Sequence, residues 1–499
     1  MEAVVISALL LSAVIYLAIG FSLGKHNKTL GDLFPIIFGR NAKVQTVDEF
    51  STSTVATTVS LATIVLAYFE LAGYFGVWLL WTALTTAIGM LIVSFASRRI
   101  WTKMNAYQHR PSMHEFIGVE FNSKTVALIA SACTSIGFLL IFATELVVGS
   151  KFLAGLVPSI PQWATVGFLS LIGFTYTLFG GFRAVIKTDQ FQMKFIWALI
   201  IVLGGYYIYY IIQHGGLHAN LNKMPVGLLD FSAKQGLGFF LLGIAVMNIP
   251  THLSNMALWQ RISGAQNVEV VEAGIRRSVW GIALSWSFLS LLACFAYMIV
   301  TPTSSQTLLT DLLTSIGNAP LGKAVVFIVV IGLYGAMLST ASTNLIVVAH
   351  TISEDIFAKL RRHSIEERLN SKKEFLISRL ILVGATFIAI FLVEGLKYFG
   401  FSIADLVFAI YGGALALFPP ILAALFSNRN RLSSISGFAT AAVIAGFIAG
   451  WGAAIYGKAI KDGNLIFLSP GLSIMVSGLI ISFAFILTEA RRLKYEKPN

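Results

Sequence analysis

The sequence predicts an all-α polytopic membrane protein, and three observations carry that prediction. Hydrophobic residues fill 57% of the 499 positions and charged residues only 12%, with a mean hydropathy of +0.80. A soluble domain could not hide that much apolar surface. About thirteen apolar runs are each near the roughly 20 residues needed to cross a hydrocarbon core. Lys and Arg are divided so unevenly between alternate loops that they test both the number of runs and their direction.

The runs fall near 4–24, 46–75, 76–98, 125–150, 162–180, 185–212, 236–256, 278–300, 322–357, 376–396, 403–426, 434–456 and 468–488. Segments this long and uniformly apolar must be helices, because lipid offers backbone polar groups no partner and barrel strands would alternate over about ten residues. The first run follows Glu2, has no basic region before it and is succeeded by further spans. It therefore reads as a retained helix and not as a cleaved signal. Cys133 and Cys294 both fall inside predicted helices, so no disulfide framework is implied.

An odd number of crossings puts the termini on opposite sides. With the N-terminus outside, 27 of the 35 Lys and Arg fall in cytoplasmic segments, among them Arg40, Lys43, Arg98, Arg183, Lys187, Arg261, Arg277, Lys359, Arg361, Arg362 and Lys497. Seven fall outside and Lys194 lies within a helix. The formal charge of +12 is thus a topology signal. The cations sit in short loops against the cytoplasmic leaflet and form no aromatic-interleaved groove, so nucleic acid is not an expected partner. The expected location is the plasma or inner membrane, multi-pass in the lipid bilayer, with the C-terminus cytoplasmic. Oligomeric state is left open.

The longest loops, near 99–124, 213–235, 301–321 and 358–375, are too short to hold a soluble domain. The chain reads as one transmembrane domain: an extra helix and loop over 1–45, a first unit over 46–212, a second over 236–426, and C-terminal helices and a tail over 427–499. The loop from Phe357 to Phe375 reads as a solvated cytoplasmic linker. Gly446 and Gly450 make a GxxxG spacing suited to intramolecular helix packing.

Two runs are interrupted by polar residues. One carries Ser51, Thr52, Ser53, Thr54, Thr57, Thr58, Ser60 and Thr63; the other carries Asn248, Pro250, Thr251, His252, Ser254 and Asn255. Each opens a unit of five runs, and five crossings make the units antiparallel. That pattern points to an inverted-repeat transporter with a site near the bilayer midplane. Carbonyls freed at such a break need protein, water or an ion, and oxygen-lined breaks suit a hard cation such as sodium. Any one of these hydroxyls can instead bond back to its own preceding turn.

One stretch is more specific. Tyr176, Thr177, Leu178, Phe179, Gly180, Gly181, Phe182, Arg183, Ala184, Val185, Ile186, Lys187, Thr188, Asp189, Gln190, Phe191 and Gln192 resemble the signature of the sodium:solute symporter family at the junction of its fourth and fifth core helices. Ala336 to Asn344, continuing to Asp355, Ile356 and Phe357, looks like the family's eighth core helix, and Trp259, Gln260 and Arg261 are similar to the stretch after its sixth. The resemblance spans almost the whole chain. It implies a LeuT-type five-plus-five inverted repeat with one extra N-terminal and two extra C-terminal helices.

The resemblance further implies a principal sodium site at positions matching Ala56, Val59, Ala336, Ser339 and Thr340. Neutral carbonyls and hydroxyls, about five or six of them, hold sodium weakly enough to release it each cycle. A second sodium site in some family members would be built here from Asp189, Ser342 and Thr343. For Asp189 an ion-path role is favoured over pairing with Arg183 or Lys187. Ser60 and Thr63 are the residues expected to face a solute. Glu70 and Glu145 are intramembrane acids that either contact a cationic or zwitterionic solute, such as an amino acid, or are satisfied otherwise, Glu70 by water and Glu145 by a proton, Lys151 or Lys194.

The expected function is therefore a sodium-coupled symporter importing a small organic solute by alternating access. The alternatives are a proton-coupled or ion-independent carrier of the same fold, proton relay through Asp189 and Glu145 being one route, or a carrier-like membrane sensor. The chain ends at Asn499 with no appended signalling module, which weighs against a sensor. An enzyme is not expected, since no HExxH, GxSxG or GxxxxGK[ST] occurs.

Overall fold

The computed structural model describes residues 1–25, 27–35, 45–107, 109–232, 234–358, 367–368 and 371–495. Of the cations assigned to the cytoplasmic side, Arg40, Lys43, Lys359, Arg361, Arg362 and Lys497 lie outside the described residues. The elements that matter below are α1 (Glu2–Gly24), α2 (Val47–Thr58), α3 (Ala67–Phe75), α4 (Leu80–Met104), α5 (Lys124–Leu156), α6 (Gln162–Gln213), α7 (Leu237–Thr251), α8 (Met256–Gly264), α9 (Val268–Phe295), α10 (Gly322–His350), α11 (Lys372–Phe399), α12 (Ile403–Ala414), α13 (Phe418–Phe426), α14 (Ser436–Ala459) and α15 (Gly463–Tyr495).

Eleven helical stretches among the described residues are long and apolar enough to span a bilayer. The sequence reading divides the same length into about thirteen, and the difference lies in two stretches. Residues 61–104 count as one stretch, yet contain Gly76 at φ 55°, ψ −133°. Residues 162–213 count as one, yet contain Gly181 at φ 61°, ψ −160°, where two helices meet across a kink. Apolar side chains such as Phe95, Phe391 and Ile448 stand exposed on the outside of the bundle, which only a lipid environment accommodates on this scale. The molecule is a multi-pass helical membrane protein.

Gly181 is fixed by space as well as by torsion. A Cβ built there would sit 2.8 Å from the Asp32 carbonyl oxygen and 2.9 Å from Leu33 Cα. α6, divided into two arms at the kink, packs against both α1 and α10. Gly181→Ala is expected to lower the unfolding temperature well below that of Gly205→Ala, whose Cβ meets nothing within 4 Å. At Gly181 alone the clash is joined by the cost of a backbone conformation open essentially only to glycine (φ 61°, ψ −160°), roughly 1–3 kcal/mol.

Both polar interruptions are real breaks. α2 opens with a capping box, Thr46 accepting from the Glu49 N–H and Glu49 from the Thr46 N–H. It stops at Thr58; Val59 (φ −94°, ψ 82°) and Ser60 (φ −81°, ψ 145°) leave the helical region. The chain resumes as a π-helical turn over Leu61–Leu66 and then α3, and such turns mark functional sites often enough to be noted. In the other break, Pro250 lies near the end of α7, and Asn255 (φ −93°, ψ 106°) caps α8 by accepting from the Ala257 N–H.

Candidate functional site

The break at Val59–Ser60 faces α10. Ala56, Val59, Ala336 and Ser339 are essentially inaccessible, and Thr340 is 6% exposed. Ser339 Oγ donates to the Ala56 carbonyl at 2.9 Å and lies 3.1 Å from the Ala336 carbonyl. Thr340 Oγ1 lies 3.5 Å from the Thr57 carbonyl. The fold therefore gathers carbonyl and hydroxyl oxygens from two helices at one buried point, with no formal charge among them. That donor set fits a monovalent hard cation, toward which each hydroxyl would turn a lone pair with its hydrogen pointing away.

Asp189, on the second arm of α6, is fully buried, and its partners differ from those expected. Arg183 and Lys187 both bond Glu49, at 2.9 and 2.5 Å. Asp189 instead accepts from Ser53 at 2.5 Å and from the Arg261 guanidinium at 3.1 Å. The same Nη2 of Arg261 reaches Thr343 Oγ1 at 3.1 Å, Nε donates to Ser53 at 2.9 Å and Nη1 to the Ala257 carbonyl at 3.0 Å. The guanidinium thus bridges Asp189 and Thr343, while Ser342 Oγ turns to the Ser339 carbonyl at 3.4 Å.

Arg261 was grouped with the cytoplasmic loop cations by sequence. In the fold it is 1% exposed, within the apolar stretch 237–264. It is a site residue that sequence reasoning placed in the motif Trp259-Gln260-Arg261 but on the wrong surface. The signal that finds it is an arginine one residue beyond two large side chains that the fold buries with it.

Glu145, on α5, has a distinct task. Ser60 Oγ donates to its Oε1, the Ala62 N–H lies 3.3 Å from its Oε2, and Ser60 Oγ in turn accepts from the Thr63 N–H at 2.8 Å. Neither Lys151 nor Lys194 is its partner. A carboxyl group at this helix start answers unsatisfied N–H groups and the positive end of the helix dipole. Glu145→Ala is expected to cost about 1–3 kcal/mol by leaving Ser60 and the helix start without their acceptor, with Glu145→Gln milder; thermal unfolding of both variants measures it.

Glu70, on α3, is 6% exposed. Its Oε1 accepts from Gln306 at 3.1 Å, and it lies beside the backbone of Ile403 and Ala404 at the start of α12. Neither Glu70 nor Glu145 lines the central cavity. Ser60 and Thr63 do, together with Thr54, Thr57 and Thr58 from the same broken helix and residues of α4, α5, α7, α8, α9, α10 and α12.

A cavity of about 130 Å³ lies between these helices, directly beside the oxygen cluster through Thr340, which lines it. Two broken helices, a neutral-oxygen pocket at one of them and a solute-sized space beside it define a secondary carrier. Residues 49–446 match the sodium:solute symporter family, and the chain belongs to that family.

A sodium/glucose cotransporter of Vibrio parahaemolyticus is 26% identical over 235 residues, 43% of this chain and 41% of that protein. The chain thus matches less than half the length of that relative. A Na+-coupled sialic acid symporter, solved substrate-bound and outward-open, shares the fold with a TM-score of 0.75 at 16% identity, over 97% of both chains. Mhp1, a nucleobase-cation-symport-1 family transporter solved closed with bromovinylhydantoin, has a TM-score of 0.55 at 10% identity, over 91% of this chain and 95% of its own. These are transporters and not enzymes, and they bear out the LeuT-type fold that the signature implied.

Proposed function

We propose that this protein is a sodium-coupled secondary active symporter that carries a small organic solute across the plasma or inner membrane by alternating access. The observation that carries the reading is the buried cluster of neutral oxygens where α2 ends against α10. Ala56, Val59 and Ala336 supply carbonyls and Ser339 and Thr340 supply hydroxyls. Family membership and the fold of the Na+-coupled sialic acid symporter support the same ion.

The units 46–212 and 236–426 are the two repeats in this reading, each opened by one broken helix, with the N-terminus outside and the C-terminus cytoplasmic. Sodium joining α2 to α10 shapes the adjoining cavity, so sodium and solute each raise the other's affinity by the same factor. One sodium site is proposed. The position matched by Asp189, Ser342 and Thr343 already receives the positive charge of Arg261. Proton coupling is less favoured because both carboxylates that would relay protons are committed, Asp189 to Arg261 and Glu145 to the helix start.

The test is thermal unfolding of the purified protein in sodium, potassium and choline chloride at equal ionic strength. Ligand binding to the folded state raises stability by RT ln(1 + [L]/Kd). A rise specific to sodium is expected; equal curves in all three salts would leave an ion-independent or proton-driven carrier.

A further inference from the structure

The central cavity exposes polar atoms that nothing among the described residues satisfies. Thr86 Oγ1 on α4, His252 Nε2 in the break between α7 and α8, Trp286 Nε1 on α9 and Asn344 Nδ2 on α10 are all buried without a hydrogen-bond partner. Their residues are 2%, 6%, 7% and 4% exposed, and all four line the same cavity. The His252 ring bonds the backbone of Thr86, which leaves Nε2 as the orphan. Buried polar groups are normally paired, and four orphans around one space mark where a ligand supplies the partners.

The same walls offer no free charge. Among the described residues Arg261 is the one Lys, Arg, Asp or Glu in the lining, and Asp189 neutralises it. Of the two helix starts at the cavity, the one after Ser60 is answered by Glu145 and the one at Met256 is capped by Asn255. Glu70, the acid that could draw an amine, lies outside the lining. The rest of the wall mixes aromatic residues, Tyr68, Phe138, Phe408 and Tyr411, with aliphatic ones such as Met90 and Met247 and with uncharged hydroxyls. An ionised group placed here would lose its hydration without gaining a counter-charge.

We infer that the solute is uncharged, a compact ring bearing both hydrogen-bond donors and acceptors, and that His252, Thr86, Trp286 and Asn344 are its recognition residues. A polyol ring and a cyclic amide share this chemistry. The volume suits on the order of ten non-hydrogen atoms, taking roughly 10–15 Å³ for each water-sized centre. The inference rests on the symporter reading for the role of the site, but its chemistry comes from the cavity wall alone.

The experiment is thermal unfolding of the full-length protein in sodium with D-glucose and uracil as the uncharged probes, and with benzoate, choline and L-proline as the anionic, cationic and zwitterionic ones. Stabilisation by at least one uncharged probe and by no charged one is expected. The apparent affinity should fall at least tenfold in His252→Leu and in Trp286→Phe, which keeps the ring and removes the N–H. His252→Gln should recover part of the loss. The shift given by sodium alone is measured in every variant, so that a misfolded protein is recognised and Trp286→Phe decides in place of His252→Leu.

Stabilisation by a charged probe only, by no uncharged probe, or undiminished in both variants overturns the assignment. An uncharged probe that binds where sodium alone has no effect supports the assignment while sinking sodium coupling.

Discussion

Replacing Ser339 and Thr340 together by alanine is expected to erase the sodium-specific rise in unfolding temperature while leaving the protein folded. Each side chain loses one hydroxyl in a neutral pocket, so the apo protein forfeits little: a hydrogen bond to Ala56 at 2.9 Å and a weak contact to Thr57 at 3.5 Å, each of about 1 kcal/mol or less. The ion forfeits two of its five assigned ligands. Sodium affinity should fall by at least a hundredfold, about 2.7 kcal/mol at 1.36 kcal/mol for each factor of ten. Sodium-driven uptake in proteoliposomes should fall with it. A double variant that still distinguishes sodium from potassium would move the ion elsewhere.

Arg261→Met is expected to be the most destabilising single substitution near the cavity. It strips Asp189 of its guanidinium, leaving a carboxylate inside the bundle with Ser53 as its remaining hydrogen-bond donor. Breaking a buried pair from one side costs about 3–5 kcal/mol because the remaining charge is uncompensated. Asp189→Asn in the same chain should restore most of the loss, since a neutral amide needs no counter-charge. If the double variant is no more stable than Arg261→Met alone, the guanidinium acts through Thr343 and Ala257 and not through Asp189. Unfolding midpoints of the two single variants and the double variant decide this.

Much of the fold was legible because lipid imposes one rule on every span. A long apolar run has to be a helix, so composition alone gave the class, and polar residues at 51–63 and 248–255 gave both breaks. The kink at Gly181 was legible as a boundary between two runs, yet its reason was not. The reason is the approach of Asp32 and Leu33, about 150 residues away in the chain.

The site was legible to the extent that its chemistry is local. Ser339 and Thr340 are adjacent on one helix, and their partner carbonyls, of Ala56 and Thr57, sit at a break that the sequence displays. Pairings between distant segments were not legible. Glu145 looked like a solute ligand because an acid in an apolar run demands explanation. Its explanation, the start of the helix after Ser60, lies 85 residues away. Arg261 looked like a loop cation because the positive-inside rule counts charges without knowing which are enclosed. Thr86 and Trp286 carry no sequence signal at all; what marks them is the absence of a partner, visible only once every neighbour is in place.

The two halves of the broken helix both pack along α9, but their other polar anchors differ. The half before Val59 is fastened to α6 by Glu49 and Ser53 and to α10 by Ser339. The half after it is fastened to α5 by Ser60 and to α4 by Tyr68. Any displacement of one set of neighbours against the other is therefore delivered to Val59 and Ser60, about four backbone torsions in all. Those two residues form a knuckle between otherwise straight rods. In the proposed cycle an ion seated on the Ala56 and Val59 carbonyls would stiffen that knuckle from one side, and a solute against Ser60 and Thr63 from the other. Cargo and machine part are then the same objects: the molecules being moved set the angle at which the joint can close.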